Sequence, residues 1–354
     1  MRKLASVQII KEIKPIENAD SIEIAKVEGW NVVVKKGEFK PGDYVVYCEI
    51  DSFLPIEPQY EFLRASSYKN SPILGEGFKL KTVRLRGVYS QGLILPISVV
   101  EEKGWVGLPE GTDVSETLGI RKWEEPEMAI IGGQTAGKRP DFIKKTDETR
   151  IQNLPGILKE FGECEGVYAT VKIDGSSHSA GIDSDDNFRI TSHNLELKKE
   201  PNKGSFYDFL VAHDIEKKLK DIKKEKGLQT IVVQGEWAGP GIQKNKLGLA
   251  KPNWYIFTVD FNGERQGLKV LREVAEKLGV DMVPVVEEIT GKEFLEKYPD
   301  AETLLARVEG NDSGIYKGQQ EGWVIRPTEP RYSETIGGDL SIKVINNKYL
   351  LKNS

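Results

Sequence analysis

From residue 4 to about residue 100 the chain alternates apolar and polar side chains with a two-residue period, in "SVQIIKEI", "SIEIAKV", "WNVVVKK", "DYVVYCEI", "KLKTVRLRG" and "QGLILPI". Half-buried strands carry that period, because successive side chains point to opposite faces of a sheet. Glycine, proline, asparagine and aspartate separate the runs, and "FKPGDYVVY" puts Pro41 and Gly42 in a turn that leads straight into an apolar strand. Five or six strands in so short a stretch predict a small closed or partly open barrel rather than a sandwich.

Residues from about 120 to 145, "IRKWEEPEMAIIGGQTAGKRPDFIKK", carry proline, two adjacent glycines and mixed charge without a clear period, which predicts a connector. Strand patterns return in "GVYATVKIDG" and "FRITSHN". The following "GSFYDFLVAHDIEKKLKDIKKEKG" places Phe206, Phe209, Leu210, Ile215, Leu219 and Ile222 on one face of an amphipathic helix closed by Gly227. "QTIVVQGEWAG" and "NWYIFTVDF" read as strands, "GLKVLREVAEKLG" and "GKEFLEKYPDAETLLARVEG" as helical, and "QEGWVIRP" and "LSIKVINNKYLLK" as strands again. Several strand pairs have only loops between them, so the second part is α+β with mostly antiparallel connections. At 354 residues two domains are expected, one over 1–120 and one over 146–354, with a linker over 121–145.

The net charge of -5 supplies no global basic field, so any polyanion site has to be local. Cys48 and Cys164 are too few for a disulfide framework and lack zinc-ligand spacing, which suits free thiols in a reducing cytoplasm. The start "MRKLASVQIIKEIK" shows no sustained apolar segment, and no run of about 18 apolar residues occurs, so a cytoplasmic protein without membrane association is expected.

Chemistry concentrates at strand ends. "KIDG" sets Lys172, Asp174 and Gly175 where a strand gives way to a turn; "QGEW" contributes Glu236, "QEGWVIRP" Glu321, and "SIKVINNKY" Lys343 and Lys348. A lysine is a nucleophile only when deprotonated, so Lys172 needs burial or a nearby positive charge to lower its pKa. Asp174, Glu236 and Glu321 suit Mg²⁺ or Mn²⁺ held through its water shell, since such hard cations prefer oxygen ligands and Mg²⁺ usually keeps several waters. A cation there would draw charge from a phosphate and help displace pyrophosphate.

Taken together these segments resemble the covalent nucleotidyltransferases, the superfamily of ATP-dependent polynucleotide ligases and capping enzymes. "KIDG" is similar to its motif I, "VVQGEWAG" to motif III, "WYIFTVDF" to IIIa, "EGWVIRP" to IV and "SIKVINNKY" to V, in the family order from Lys172 to Lys348. The extension "GEWAGPGIQKN" resembles the nick-sealing RNA ligases. The resemblance implies AMP carried on Lys172 in a phosphoramide bond, Glu236 at the ribose or the metal waters, Phe257 stacked on adenine, and Glu321 in the metal shell. It further implies Lys343 at the AMP phosphate, with Gly175 letting the chain turn close to the nucleotide. Arg150 and Gln152, in "KKTDETRIQNLP", stand where related segments help bind the nucleotide. In two places the chain departs from the family pattern: His193 stands in a strand that commonly carries arginine, and Ile345 replaces a second motif V lysine, leaving Lys348 three residues later.

"PIENADSIEIAKVEGW" and "RLRGVYSQGLIL" resemble the opening and closing stretches of tRNA-binding OB modules. On a strand Arg84 and Arg86 would share one face and meet RNA or phosphate. An OB domain ahead of the transferase domain resembles RNA ligase family five. The implied fold is an N-terminal all-β OB-fold barrel followed by an α+β nucleotidyltransferase domain, ATP-grasp-like with antiparallel sheets. The implied activity is ATP-dependent sealing of 3′-OH/5′-phosphate nicks through lysyl-AMP, with an RNA 3′-OH strand preferred, by a monomer acting on nicked duplex RNA in repair. A GTP-dependent capping enzyme and a non-catalytic OB-fold RNA-binding protein are the alternative readings.

Overall fold

In the computed structural model, which describes residues 2–123, 135–202, 204–310 and 313–353, the alternating N-terminal runs become β1 (Ala5–Pro15), β2 (Ile22–Val27), β3 (Trp30–Lys35), β4 (Tyr44–Cys48) and β5 (Ser52–Leu54). There follow β6 (Tyr68–Ser71), β7 (Gly75–Lys79), β8 (Thr82–Leu85), β9 (Val88–Gln91), β10 (Leu93–Pro96) and β11 (Arg121–Lys122). One sheet has the order β10-β4-β1-β2-β3, a second β11-β5-β7-β6, and β8 and β9 form a hairpin. Strand β1 serves two neighbours, pairing with β4 over Ala5–Ile9 and with β2 from Ile10 to Pro15, and a register shift between Ile10 and Glu12 marks the change. Such a bulge bends a strand and increases its twist, which coils a sheet toward a barrel. Val7, Val46, Cys48, Leu54, Phe78 and Leu95 fill the interior.

The expected pairing of Arg84 and Arg86 on one strand face does not form. Strand β8 ends at Leu85, and Arg86 and Gly87 make a two-residue turn with φ of 47° and 86°. Positive φ at both positions matches the right-handed twist of the flanking strands, which favours this tight hairpin. Arg84 stays on the strand, its Nε donating to the Gly87 carbonyl at 3.0 Å.

The second unit contains β12 (Thr135–Lys138), β13 (Thr149–Arg150), β14 (Gly166–Lys172), β15 (Ser176–Ile182), β16 (Phe188–Thr191), β17 (Leu195–Leu197), β18 (Ile231–Ala238), β19 (Asn253–Phe261) and β20 (Glu264–Arg265). It continues with β21 (Val285–Thr290), β22 (Gly322–Pro327), β23 (Tyr332–Ser333), β24 (Gly338–Asp339) and β25 (Ile342–Ile345). A seven-stranded sheet runs β12-β17-β16-β15-β18-β19-β20, a five-stranded sheet β13-β25-β22-β14-β21, and β23 pairs with β24. These ladders are antiparallel except for β13 beside β25, which is parallel. Helices Ile215–Lys226 and Leu268–Leu278 bury Leu219, Ile222, Leu271 and Val274 in one core with Ile182, Ile190, Val233 and Val259 of the larger sheet.

Three expectations change. The single helix over 206–226 is two, Phe206–Ala212 and Ile215–Lys226, because Asp214 takes a left-handed φ of 53° that no continuous helix tolerates. "LSIKVINNKYLLK" is strand only to Ile345 and then turns into the helix Asn347–Asn353. That helix and residues 151–155 group with the N-terminal unit, so the second unit holds described residues 135–150 and 156–346 rather than 146–354. Within the connector, β11 pairs with β5 and β12 with β17, while its two adjacent glycines lie outside the described residues.

Candidate active site

The five-stranded sheet of the second unit aligns the site by register. Lys172, the last residue of β14, stands opposite Gly322, Thr170 opposite Val324, and Tyr168 opposite Arg326. Val324 in turn faces Lys343, and Lys343 faces Arg150. Partners in a ladder point to the same side and alternate residues share a face, so Lys172, Arg326, Lys343 and Arg150 project from one face of this sheet. A cationic sheet face of this kind suits a chain of phosphates.

At its edge Lys172 Nζ donates to Glu321 Oε1 at 2.7 Å, the two side chains 28% and 14% exposed. Glu321 precedes Gly322 directly, so the ladder itself delivers the carboxylate to the lysine. Burial alone would favour the neutral amine, but Glu321, Glu236 and Asp174 outweigh it and hold Lys172 above its ordinary value. In this arrangement Lys172 is therefore an ammonium, opposite to the lowered pKa expected of a nucleophile. Glu321 is pushed up by burial against the pull of Lys172, and its Oε2 is buried without a hydrogen-bond partner.

Asp174 and Gly175 form the turn after β14. The Asp174 N–H donates to Tyr316 Oη at 2.7 Å, and Tyr316 Oη donates to the Lys172 carbonyl at 3.0 Å, so one buried phenol clamps both sides of the lysine. The Gly175 N–H donates to Glu236 Oε1 at 3.1 Å. A Cβ at 175 would stand 2.6 Å from the Trp237 carbonyl oxygen, so glycine is required here for close approach to β18. Burial raises Glu236 to about 8, with Glu321 and Asp174 adding to the rise and Lys172 opposing it. Lys246 Nζ lies 2.6 Å from Asp174 Oδ2. Among the described residues, no group of three or more His, Cys, Asp or Glu side chains is placed to hold a metal ion directly.

Phe257 owes its position to a bulge. Along β18 and β19 Gln234 pairs with Thr258 and Gly235 with Ile256, leaving Phe257 as the extra residue, half-buried while Trp254, Val259 and Asp260 are buried. The Arg326 guanidinium lies 5.9 Å from the centre of its ring and donates to its carbonyl at 2.6 Å. Glu148, at 2.5 Å, partners the same buried arginine.

Three further expected residues are not part of the contacts described above. Gln152 belongs to the first unit, where it is buried with Nε2 and Oε1 both lacking hydrogen-bond partners. Lys348 is exposed on the helix Asn347–Asn353, also in the first unit. His193 follows β16 in a turn, its Nε2 4.0 Å from Asp147 Oδ2 and its carbonyl accepting from Arg139 at 2.9 Å. Sequence reasoning missed Tyr316, which has no motif around it, and Lys246, one residue past the recognised "GEWAGPGIQKN". It left Arg326 of "EGWVIRP" without a role.

Comparison with known proteins accords with this geometry. Residues 4–97 match a model of an OB-fold domain, and residues 165–345 match the RNA ligase family model. A search of curated proteins found no match. Among solved structures, a Naegleria gruberi RNA ligase mutant with AMP and Mn is 31% identical, with a TM-score of 0.86 over 99% of this chain and 99% of that one. The same ligase with PPi is 32% identical, with a TM-score of 0.85 over 99% of both chains. A further mutant of it, with ATP and Mn, is 31% identical at a TM-score of 0.85, again over 99% of each. The chain belongs to the RNA ligase family, built as an N-terminal OB-fold domain followed by a nucleotidyltransferase-like ligase domain.

Proposed function

We propose that this RNA ligase uses ATP and a divalent cation to seal 3′-OH/5′-phosphate nicks in duplexes, with an RNA strand preferred on the 3′-OH side, in RNA repair. The observation that carries the reading is the placement of Lys172 beside Glu321 on a sheet face that also presents Arg150 and Lys343. The Naegleria gruberi structures were obtained with ATP and Mn, with AMP and Mn, and with PPi; ATP is the substrate and PPi the leaving group of lysine adenylation, and AMP is what the sealing step releases. That match favours the ligase over a capping enzyme or a non-catalytic binding module.

In the first step Lys172, an ammonium at rest, sheds a proton before it can attack, and Glu321 Oε1, at 2.7 Å, is in reach of that proton. The neutral amine then attacks the α-phosphorus of ATP, the N–P bond forms, the bond to pyrophosphate breaks, and the second N–H proton leaves to solvent. Arg150 and Lys343 hold the phosphates by charge, and Phe257 stacks on adenine with Arg326 fixing the carbonyl behind it. The lone Oε2 of Glu321 and the carboxyls of Glu236 and Asp174 fit a hydrated divalent cation, which they would hold through its waters. When bound, that cation draws negative charge from the phosphate. AMP then passes from Lys172 to an RNA 5′-phosphate, forming a 5′-to-5′ pyrophosphate link. Attack by the 3′-OH forms the phosphodiester and releases AMP. Arg84 and Arg86, exposed on the β8–β9 hairpin, and His193 are proposed RNA contacts, and the enzyme is proposed to act as a monomer in the cytoplasm. Among the described residues no helix is long and apolar enough to cross a membrane.

Incubation with α-labelled ATP or GTP, followed by peptide mass analysis, tests the first step: an AMP adduct on Lys172 is expected, and a GMP adduct without AMP would overturn it. Nicked duplexes with RNA or DNA on each side of the break test the preference. Equal sealing from a DNA 3′-OH would remove it.

A further inference from the structure

The segment after β18, residues 239–249, has an unusual backbone. Gln243, Lys244 and Asn245 have φ of 41°, 60° and 46°, three successive residues in the left-handed region that L side chains rarely adopt. Internal bonds hold it: the Asn245 N–H donates to the Ile242 carbonyl at 2.7 Å, Asn245 Nδ2 to the Leu249 carbonyl at 2.8 Å, and the Leu249 N–H back to Asn245 Oδ1 at 2.9 Å. The next residue is Lys246. Its Nζ lies 2.6 Å from Asp174 Oδ2, with side chains only 22% and 19% exposed, and Asp174 is itself pinned through its N–H to Tyr316. The pair stands beside a second one, Lys172 with Glu321. Two of the three site carboxylates thus face lysine ammonium groups of the chain itself.

We propose that Lys246 is a positioning residue for adenylation, holding the Asp174 carboxylate as an internal counter-charge that an incoming divalent cation has to displace. The inference rests on the reading of Asp174 as part of the cation's shell. Charges this close and this little exposed are weakly screened. Lys246 and a metal ion compete for one carboxylate, so the apparent affinity for the metal falls by the fraction of Asp174 already paired. The bonded turn before it fixes the backbone from which Lys246 reaches that carboxylate.

The test is Mn²⁺ binding to the full chain without nucleotide, read as free Mn²⁺ by electron paramagnetic resonance. Lys246→Met, which keeps length and removes charge, is expected to tighten binding about tenfold, while Lys246→Arg stays near wild type. Lys244→Met, an exposed neighbour that loses the same charge, is expected to shift it less than about threefold. Equal shifts in the two Met variants, or no tightening in Lys246→Met, would overturn the proposal. If Lys246→Met fails a circular dichroism check of folding, Lys246→Gln is read against the same criteria. Asp174→Asn added to Lys246→Met is expected to abolish the gain, and a persistent gain also defeats the inference. Lysyl-AMP formation by the wild type separates the levels. With the adduct present and Mn²⁺ affinity unmoved, only the role of Lys246 falls; with no adduct, the adenylation reading falls as well.

Discussion

Lys172 and Gly322 stand opposite each other in the antiparallel ladder of β14 and β22, and this pairing sets the Glu321 carboxylate 2.7 Å from the lysine amine. Gly322 also faces β25, where a Cβ would collide with the Val344 carbonyl oxygen and lie 3.0 Å from Ile345 Cα. Three strands therefore meet at one residue without a side chain. The reactive pair is as well placed as that contact is close.

Gly322→Ala tests the dependence. The added methyl forces β22 and β25 apart, a packing cost of about 1–3 kcal/mol. A melting temperature lowered by several degrees is expected. Lysyl-AMP formation should slow about 100-fold, since a displacement near 1 Å at the reacting groups has that effect. Wild-type melting and rate together would contradict the account.

Lys172→Ala separates the steps. No lysyl-AMP is expected, because the substitution removes the amine that ends β14 and hydrogen-bonds Glu321. Sealing of a pre-adenylated nick should survive, because only the 3′-OH attack remains. Mass analysis and a gel assay on the two substrates check this, and adenylation retained by the variant would end the nucleophile assignment.

The parts legible in the sequence are those whose physics is local. The Lys172–Asp174–Gly175 turn, the carboxylates at strand ends and the two-residue alternation of β2 and β3 each lie within a few residues. Tyr316 was not legible, because its link to Lys172 and Asp174 closes a loop of more than 140 residues and its own surroundings carry no pattern. The bulge at Phe257 was hidden for another reason: an extra residue in one strand changes which face a side chain takes without altering the composition of the run. The passage from β25 to the helix at Asn347 was masked by apolar residues that suit either state. There the Asn346 N–H donates to the Glu321 carbonyl at 2.9 Å and Asn346 Nδ2 to the Gln320 carbonyl at 3.0 Å, a tertiary stop no strand propensity shows.

Phe257 offers a choice between packing and recognition. A core phenylalanine cut to alanine costs about 3–5 kcal/mol of stability. A half-exposed ring at a bulge that stacks on a base should instead leave melting within a few degrees of wild type and raise the KM for ATP about tenfold, as loss of one base–aromatic stack implies. Melting curves and initial rates of adenylation on Phe257→Ala distinguish them, and a large loss of stability with unchanged KM would return Phe257 to the core.

Glu236 gives the site a pH signature in stability. Its folded-state pKa is raised from 4.5 to about 8, first by burial and then by Glu321 and Asp174. The folded chain therefore binds this proton more tightly than the unfolded chain does. The resulting stabilisation is fully present below pH 4.5 and is lost as pH rises through about 8. Glu236→Gln keeps the oxygen that accepts the Gly175 N–H but carries no charge to be buried at high pH. Measured without nucleotide or metal, the variant should melt about 2–4 °C above wild type at pH 9, a gain of about 1 kcal/mol, and the difference should shrink toward zero at pH 5. An advantage independent of pH would mean that the amide improves packing rather than removing a buried charge. If the gain appears only on the alkaline side, this carboxylate is kept at a cost to stability, as expected of a group retained for its work on the nucleotide or the cation.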